Sequence, residues 1–97
     1  MQHLDFKEYI SERLKDPDFA KEYLKEALQE YLEDNEKIVF YQALQDVVEA
    51  QGGATKISKD SNISRQNLYK IFSGKTNPRI ETIGQILQSL GLNLTIS

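Results

Sequence analysis

The chain of 97 residues has no cysteine, no tryptophan, two prolines and a single histidine, His3. Without cysteine it can form neither a disulfide framework nor a thiolate zinc site. One histidine near a terminus leaves too few ligands for a transition-metal site and no base for a Ser-His-Asp triad elsewhere in the chain. A glycine-rich phosphate loop is also missing, since Gly52-Gly53 is typical of a helix stop. We therefore expect no metal, no cofactor and no enzymatic activity.

Long apolar runs are absent as well. No segment approaches the length that spans a membrane, and the N-terminal residues are charged where a secretory signal needs an apolar run. A chain of this length suits one small domain with an appendage, and it is long enough to bury a helical core. These features predict a cytoplasmic protein without a membrane partner.

Charge is divided unevenly along a chain whose net charge is -3. Residues 1–50 carry 13 acidic and 6 basic side chains, a net of -7, whereas residues 51–97 carry 2 acidic and 6 basic ones, a net of +4. A polyanion would be repelled by the first half and attracted by the second. Because short chains often show such splits by chance, the division gains meaning only from the motif in the second half.

Helical patterns account for the first half of the chain. Asp16-Pro17 predicts a helix start, and a further turn or two of helix is predicted before it. Another helix is predicted from about Lys37 to Gln51. The residues of this helix that are predicted to point into the core are Ile38, Tyr41, Leu44, Val47 and Val48. The helix that starts at Pro17 repeats apolar residues at helical spacing, namely Phe19, Tyr23, Leu24, Ala27, Leu28, Tyr31 and Leu32.

The sequence of the second half predicts two short helices, roughly 54–61 and 65–73, and a last helix over residues 81–90. After Gly91, residues 92–96 alternate apolar and polar side chains, which is a strand pattern. A lone strand has no hydrogen-bond partner in a helical domain. We therefore expect this strand to pair with another one, for example the same strand of a second copy.

The turn between the two short helices has a recognisable composition. Asn62 tolerates the left-handed backbone that such a turn needs, Ile63 is placed to fill the core, and Ser64 is placed to cap the second helix. Ile57 points inward from the first helix. One face of the second helix is buried by Leu68, Ile71 and Phe72. This layout is that of a helix-turn-helix, which lays its second helix in the DNA major groove.

The opposite face of the second helix carries side chains that read base edges. Since the first turn enters the groove deepest, Arg65, Gln66 and Asn67 are predicted to read bases. Lys70, one turn further on, is the fourth predicted base reader and could instead reach a phosphate. The residues predicted to contact the DNA backbone are Thr55, Lys56, Ser64, Tyr69, Lys75, Thr76, Asn77 and Arg79. Polar helix faces are common, so on composition alone we would prefer to interpret these residues as the solvated face of a short helix. The ordered series of core, turn, capping and polar residues favours DNA reading.

These residues resemble the Xre/Cro-repressor type of helix-turn-helix, from Gly53 through Ile63-Ser64-Arg65 to Asn77-Pro78. More narrowly, the chain resembles the addiction-module antidote proteins, the HigA-like antitoxins, over nearly its whole length, from about Phe6 to Ile96. The segments that carry this narrower likeness are Tyr23-Leu24, Ala27-Leu28, residues 40–50, Ser64-Arg65-Gln66-Asn67-Leu68-Tyr69-Lys70, Asn77-Pro78 and Leu90-Gly91-Leu92.

The resemblance implies an all-α fold with a Cro/repressor-like helix-turn-helix domain at residues 37–97. An N-terminal helical extension, residues 1–36, precedes that domain, and one short C-terminal strand follows its last helix. The implied function is that of an antitoxin of a type II toxin-antitoxin module. Such proteins bind a small ribonuclease-like toxin from a neighbouring gene and repress their own operon, usually as homodimers on a palindromic DNA operator.

The N-terminal extension is the candidate toxin-binding part, because an acidic surface suits a basic RNA-cutting toxin. The candidate contact residues are Tyr23, Glu26, Glu30 and Tyr31. The plainer interpretation is that the aromatic and apolar residues of this helix pack on the domain, and for those residues we prefer it. Some of the acidic ones remain candidates for facing a partner.

Three departures from the family pattern bear on these expectations. Asn62 stands where glycine is common and Ser58 where alanine is common, which predicts slightly looser packing of the helix pair. The acidic stretch 30–36 is longer than the pattern requires.

Two other functions stay open. One is a free-standing helix-turn-helix repressor of phage or plasmid type with no toxin partner, and the other is a protein-interaction module that does not bind DNA. We expect the dimer surface in the C-terminal part, since two recognition helices must lie about 34 Å apart on one face.

Overall fold

The computed structural model describes residues 6–92, which form six α-helices joined by short turns. For the last four of these helices, the predicted first and last residues agree with the observed ones to within one residue. No helix in this part of the chain has both the length and the apolarity that a membrane crossing requires. His3 lies outside the described residues. The helices are α1 (Phe6–Arg13), α2 (Pro17–Asp34), α3 (Lys37–Ala50), α4 (Gly53–Ser61), α5 (Arg65–Phe72) and α6 (Ile80–Ser89).

Helix α2 begins where the sequence predicts. The Asp16 carboxylate accepts a hydrogen bond of 3.0 Å from the backbone N–H of Asp18, and Pro17 occupies the first turn, where a missing N–H costs nothing. The helix ends at Asn35, whose φ is 60° and whose N–H donates to the Tyr31 carbonyl at 2.8 Å. The α2 side chains that become fully buried are Ala20, Leu24 and Ala27.

Helix α3 is the centre of the fold, because it contacts α1, α2, α4 and α5. The end of α1 is tied to it by Gln51, whose side-chain amide donates to the carbonyls of Leu14 at 2.7 Å and Lys15 at 3.1 Å. These bonds satisfy carbonyl groups that a helix end leaves without a partner. One continuous core includes side chains from α2 to α6 and from the segment after α1. Its largest fully buried members are Leu14, Leu24, Leu44, Val47, Val48, Ile57, Leu68, Ile71 and Ile86.

One apolar residue that the spacing of α3 directs inward lies outside the core. Tyr41, Leu44, Val47 and Val48 are buried as predicted, but Ile38 is 39% exposed. The prediction for Ile38 is therefore wrong, and the residue lies in the first turn of α3. Its side chain instead covers the loop after α5, where a β-carbon built on Gly74 would overlap Cδ1 of Ile38.

The predicted fold class is wrong in one part, since the described residues form helices and no strand. Leu92, where the strand was predicted to begin, closes α6 instead. Its N–H donates to the Leu87 carbonyl at 3.0 Å, and the N–H of Gly91 donates to the Gln88 carbonyl at 3.0 Å. With φ of 71° at Gly91, this is a Schellman ending, which commits Leu92 to the helix terminus. Residues 93–96 of the predicted strand lie outside the described part.

Candidate nucleic-acid interface and acidic groove

The turn between α4 and α5 adopts the backbone that its sequence predicts. Asn62 has φ of 65° and ψ of 23°, in the left-handed region, and its N–H donates to the Ser58 carbonyl at 3.0 Å. Asparagine tolerates this conformation better than any other residue except glycine. The prediction of a left-handed asparagine at this position is therefore confirmed.

Two hydroxyl groups of α4 hold the turn in place. The Ser58 hydroxyl donates to the Ile63 carbonyl at 2.6 Å, and the Ser61 hydroxyl accepts from the Ile63 N–H at 3.3 Å. The Ile63 side chain is buried, so both of its backbone polar groups find partners where water is scarce. Ser58, which predicted looser packing of the helix pair, thus supplies a direct bond between α4 and the turn.

Helix α5 is capped and oriented as predicted. The Ser64 hydroxyl accepts a hydrogen bond of 3.0 Å from the backbone N–H of Asn67, which satisfies one of the free donors at the helix start. Leu68, Ile71 and Phe72 are buried against α3 and α4. The opposite face of the helix is therefore directed away from the domain.

All four predicted base readers lie on that outward face. Arg65, Gln66, Asn67 and Lys70 are exposed, as is Tyr69, whose ring meets Phe72 edge-on at 6.2 Å between centroids. Arg65 and Lys70 form no salt bridge within residues 6–92. Exposed donors on a helix that is rigidly capped and packed can reach a groove edge without disturbing the core.

The predicted backbone contacts lie on α5, at its cap and on the segments beside it, and three of them have hydrogen-bond partners, one being Ser64, which caps α5. Lys56 forms a salt bridge of 3.1 Å with Asp60 one turn along α4, and Asn77 accepts a hydrogen bond of 2.7 Å from the Lys37 ammonium group. The second bond joins the start of α3 to the loop after α5. The exposed members of the set are Thr55, Lys56, Ser64, Tyr69, Lys75, Asn77 and Arg79, while Thr76 is half-buried.

A second surface lies between α2 and α3, where a groove of about 240 Å³ contains three carboxylates. Tyr23, Glu26 and Glu30, which are three of the four predicted toxin contacts, line this groove together. The fourth, Tyr31, does not. Its ring packs against Phe40 at 6.2 Å between centroids and borders a different groove next to α6.

The third carboxylate of the groove belongs to Asp46, which the sequence analysis missed together with its neighbour in the groove, Gln42. Both lie on α3 with Val39 and Ala43, at positions 39, 42, 43 and 46. This spacing marks one helical face, so the signal was present in the sequence. It was overlooked because the face combines two apolar residues, Val39 and Ala43, with two polar ones, Gln42 and Asp46.

Burial and a hydrogen bond to Asp46 together keep Tyr23 protonated. The Tyr23 hydroxyl donates to Oδ2 of Asp46 at 2.8 Å. Burial raises the pKa of Tyr23 to about 12, and the hydrogen bond to Asp46 and its negative charge act in the same direction. Tyr23 therefore stays a neutral donor, and Glu26 and Glu30 remain exposed beside it as free acceptors for a cationic side chain.

Comparison with known proteins gives matches over almost the entire chain. The family model described as "Probable addiction module antidote protein" matches residues 2–97. An uncharacterized protein of Haemophilus influenzae is 34% identical over 96 aligned residues, which cover 90% of this chain and 94% of the relative. No solved structure matches the chain.

Proposed function

Because the chain belongs to the family of probable addiction module antidote proteins, we propose that it is the antitoxin of a type II toxin-antitoxin module. In this proposal it neutralises a small ribonuclease-like toxin encoded by a neighbouring gene. It also represses its own operon by binding operator DNA through α4 and α5, which form a helix-turn-helix of the Xre/Cro-repressor type.

The observation that carries the DNA-binding part is the outward face of α5. Arginine and lysine pair with guanine, and glutamine and asparagine pair with adenine, through hydrogen bonds at the major-groove edge. Arg65, Gln66 and Asn67 occupy the first turn of α5, which is the part of a recognition helix that enters the groove. Lys70 follows one turn later, and the proposed base readers are these four residues.

The residues around α5 supply the proposed contacts to phosphate. Lys75 and Arg79 are exposed on the loop between α5 and α6, and neither forms a salt bridge within the described part of the chain. Lys56 can exchange Asp60 for a phosphate at little cost, because an exposed ion pair contributes only about 0–1 kcal/mol. Contacts to the DNA phosphates are also proposed for Thr55, Ser64, Tyr69, Thr76 and Asn77.

The toxin-binding part is assigned to the N-terminal extension, residues 1–36, which ends between α2 and α3. A toxin that cuts RNA must attract a polyanion, so a basic surface is expected on it. The acidic groove offers Glu26 and Glu30 from α2 and Asp46 from α3, with small side chains between them. A groove with one sign of charge attracts the opposite charge and increases the rate of association.

DNA reading is tested by measuring, with fluorescence anisotropy, how tightly the chain binds the DNA upstream of its gene. The double variant Arg65→Ala with Gln66→Ala should lose about 1–3 kcal/mol of binding free energy for each lost base contact. The matched control is Lys25→Ala with Gln29→Ala, which removes one cation and one amide from exposed positions on α2. Equal affinities of both variants for the upstream DNA would show that α5 is not the reading helix.

Toxin neutralisation is tested by colony survival when the adjacent small reading frame is induced with and without this chain. Survival only with the chain supports the antitoxin function. If the neighbour is harmless, or kills regardless, the free-standing repressor becomes the better description. The groove itself is tested by Glu26→Lys with Glu30→Lys, which should abolish rescue. The control Glu22→Lys with Glu33→Lys makes the same charge change on α2 outside the groove and should still rescue.

A further inference from the structure

A lysine at the start of α3 contacts the loop that joins α5 to α6. The ammonium group of Lys37, the first residue of α3, donates a hydrogen bond of 2.7 Å to Oδ1 of Asn77. Beside it, Cδ1 of Ile38 lies where it would overlap a β-carbon built on Gly74. Lys37 is 40 residues away from Asn77 in sequence and belongs to the half of the chain with a net charge of -7. Neither the helix-turn-helix motif nor the charge division therefore indicated this contact.

The loop between α5 and α6 is also fixed at both ends. At its start, the N–H of Lys75 donates to the carbonyl of Lys70 at 3.0 Å across the end of α5. At its other end, the carbonyl of Arg79 accepts a hydrogen bond of 3.1 Å from the N–H of Ile83, which begins α6. The bond to Asn77 thus holds the middle of a loop whose two ends are already defined.

The two bonded side chains leave hydrogen-bond donors unused. An ammonium group has three donors and no acceptor, so the oxygen of the Asn77 amide must face Lys37 and its nitrogen faces elsewhere. Within the described part of the chain, Lys37 uses one of its donors and the Asn77 amide uses neither of its two. A pair that offers only donors fits a ligand whose oxygen atoms only accept, which is a carboxylate or a phosphate.

No carboxylate among residues 6–92 supplies these acceptors. Lys37 forms no salt bridge with them, although Glu36 precedes it directly and the acidic stretch 30–36 ends there. The Lys37 side chain is half-buried, and burying a charge is costly unless it is paired. An anion that comes from outside the chain would supply the missing charge.

We propose that Lys37 and Asn77 together bind one phosphate group of the DNA backbone, so that the DNA-binding surface extends from α4 and α5 to the start of α3. This inference rests on the proposed DNA function and adds Lys37 to it. Lys75 and Arg79 are exposed on the same loop, and a series of cations suits a chain of phosphates. The proposed toxin is basic and would be repelled by these cations.

The test is a set of anisotropy titrations of the full chain with upstream and unrelated DNA at several salt concentrations. Lys37→Met should weaken binding to both DNAs on the order of 10-fold, because a hydrogen bond between charged groups is lost. It should also reduce the slope of log K against log salt by about 1, whereas Lys37→Arg should keep the wild-type slope. The matched control is Lys21→Met on α2, since Lys21 is also half-buried and forms no salt bridge within residues 6–92.

A second pair of variants separates a phosphate contact from a lysine that only holds the loop. Lys37→Met combined with Lys75→Ala should reduce the salt slope by about 2 in total, because two independent phosphate contacts add. A lysine that acts only by positioning Lys75 predicts no further loss in the Lys75→Ala background. Lys37→Gln, which removes the charge and keeps a polar end, should repeat the losses of Lys37→Met. Thermal unfolding shows that each variant is folded at the temperature of the titrations.

Each outcome decides the proposal. Wild-type affinity and slope in a folded Lys37→Met or Lys37→Gln variant overturns it, as does an equal loss in Lys21→Met. If the Lys37 variants bind DNA normally but no longer rescue cells from the toxin, the donor pair binds an acidic protein surface instead. If only Arg65→Ala with Gln66→Ala weakens binding, the DNA function stands without this phosphate contact. A wild-type chain that binds no DNA removes both.

Discussion

The hydroxyl of Tyr23 on α2 lies 2.8 Å from Oδ2 of Asp46 on α3 and donates a hydrogen bond to it. The two residues are separated by a helix end and the start of the next helix, so the bond connects the N-terminal extension to the central helix of the domain. Both residues also line the acidic groove. Stability and the proposed toxin contact are thus linked at one pair of side chains.

Replacing Tyr23 by phenylalanine should lower the free energy of unfolding by about 1–2 kcal/mol, because Asp46 loses a donor at a half-buried position. Urea denaturation at neutral pH measures this change. Tyr9→Phe is the matched control, since the Tyr9 hydroxyl accepts an exposed hydrogen bond from Arg13 at 2.8 Å and its loss should cost much less. Equal losses of unfolding free energy in the two variants would mean that the bond to Asp46 stabilises the fold no more than the exposed bond between Arg13 and Tyr9.

The same pair predicts a loss of stability in alkali. The pKa of Tyr23 rises from its ordinary value of 10.0 to about 12 in the folded chain, so the folded state holds this proton more tightly than the unfolded state. The resulting stabilisation is complete below pH 10 and disappears as the pH rises through about 12. Burial, and after it the charge of Tyr31, also raise the pKa of Tyr41. When the pH rises from about 9 to about 11.5, the free energy of unfolding of Tyr23→Phe should therefore fall by less than that of wild type. It should still fall to some extent, because the variant keeps Tyr41.

Ser58→Ala should destabilise the chain by about 0.5–1.5 kcal/mol, since the Ile63 carbonyl would lose its 2.6 Å bond across the turn. The comparison is Ser89→Ala, whose hydroxyl, within the described part of the chain, bonds to the Gln85 carbonyl of its own helix at 2.9 Å. Such a bond within a helix is dispensable. Thermal unfolding of both variants decides the point, and a more stable Ser58→Ala would show that packing at this position outweighs the hydrogen bond.

Two glycines should respond in opposite ways to alanine. Gly74 has φ of +75°, which costs other residues about 1–2 kcal/mol, and its new methyl group would also press on Ile38. Gly84 is helical with open space around it, so Gly84→Ala should increase stability by up to about 1 kcal/mol. Urea denaturation at a concentration low enough to give monomers measures both. Shifts of the same sign would contradict the assigned backbone conformations.

Lys75→Ala should weaken binding to all DNA sequences alike and reduce the slope of log K against log salt by about 1, because one phosphate contact is lost. Anisotropy titrations at several salt concentrations, with upstream and unrelated DNA, give this slope. Lys25→Ala removes the same charge from an exposed position on α2 and should leave the slope unchanged. A Lys75→Ala effect restricted to the upstream DNA would assign this residue to base reading instead.

The helices, their ends and the turn were predictable because they depend on residues that are close in sequence. Asp16-Pro17 starts α2, Ser64 caps α5, and Asn62 takes the left-handed backbone, all through contacts within four residues along the chain. The spacing of Leu68 and Ile71 likewise marks the buried face of α5 without reference to any other helix.

The grooves were not predictable from such local patterns. Asp46 joins Glu26 and Glu30 only because α2 packs along α3 at one particular rotation, and that rotation places Tyr31 at a different groove. Ile38 has the spacing of a core residue, yet it is exposed and its side chain lies over Gly74. For Leu92, an alternating tail predicted a strand, whereas the hydrogen bond to Leu87 made it the end of α6.

Local chemistry in the chain therefore accounts for five helices with well-defined ends, the weaker one before them, and the polar outward face of α5. Periodicity and capping act over a few residues, and they operate before any helix has found its neighbour. Which outward faces come together was decided only by packing, since burial of the common core sets the rotation of each helix. That rotation formed the acidic groove around Asp46 and left Ile80 and Gly84 facing outward beside each other.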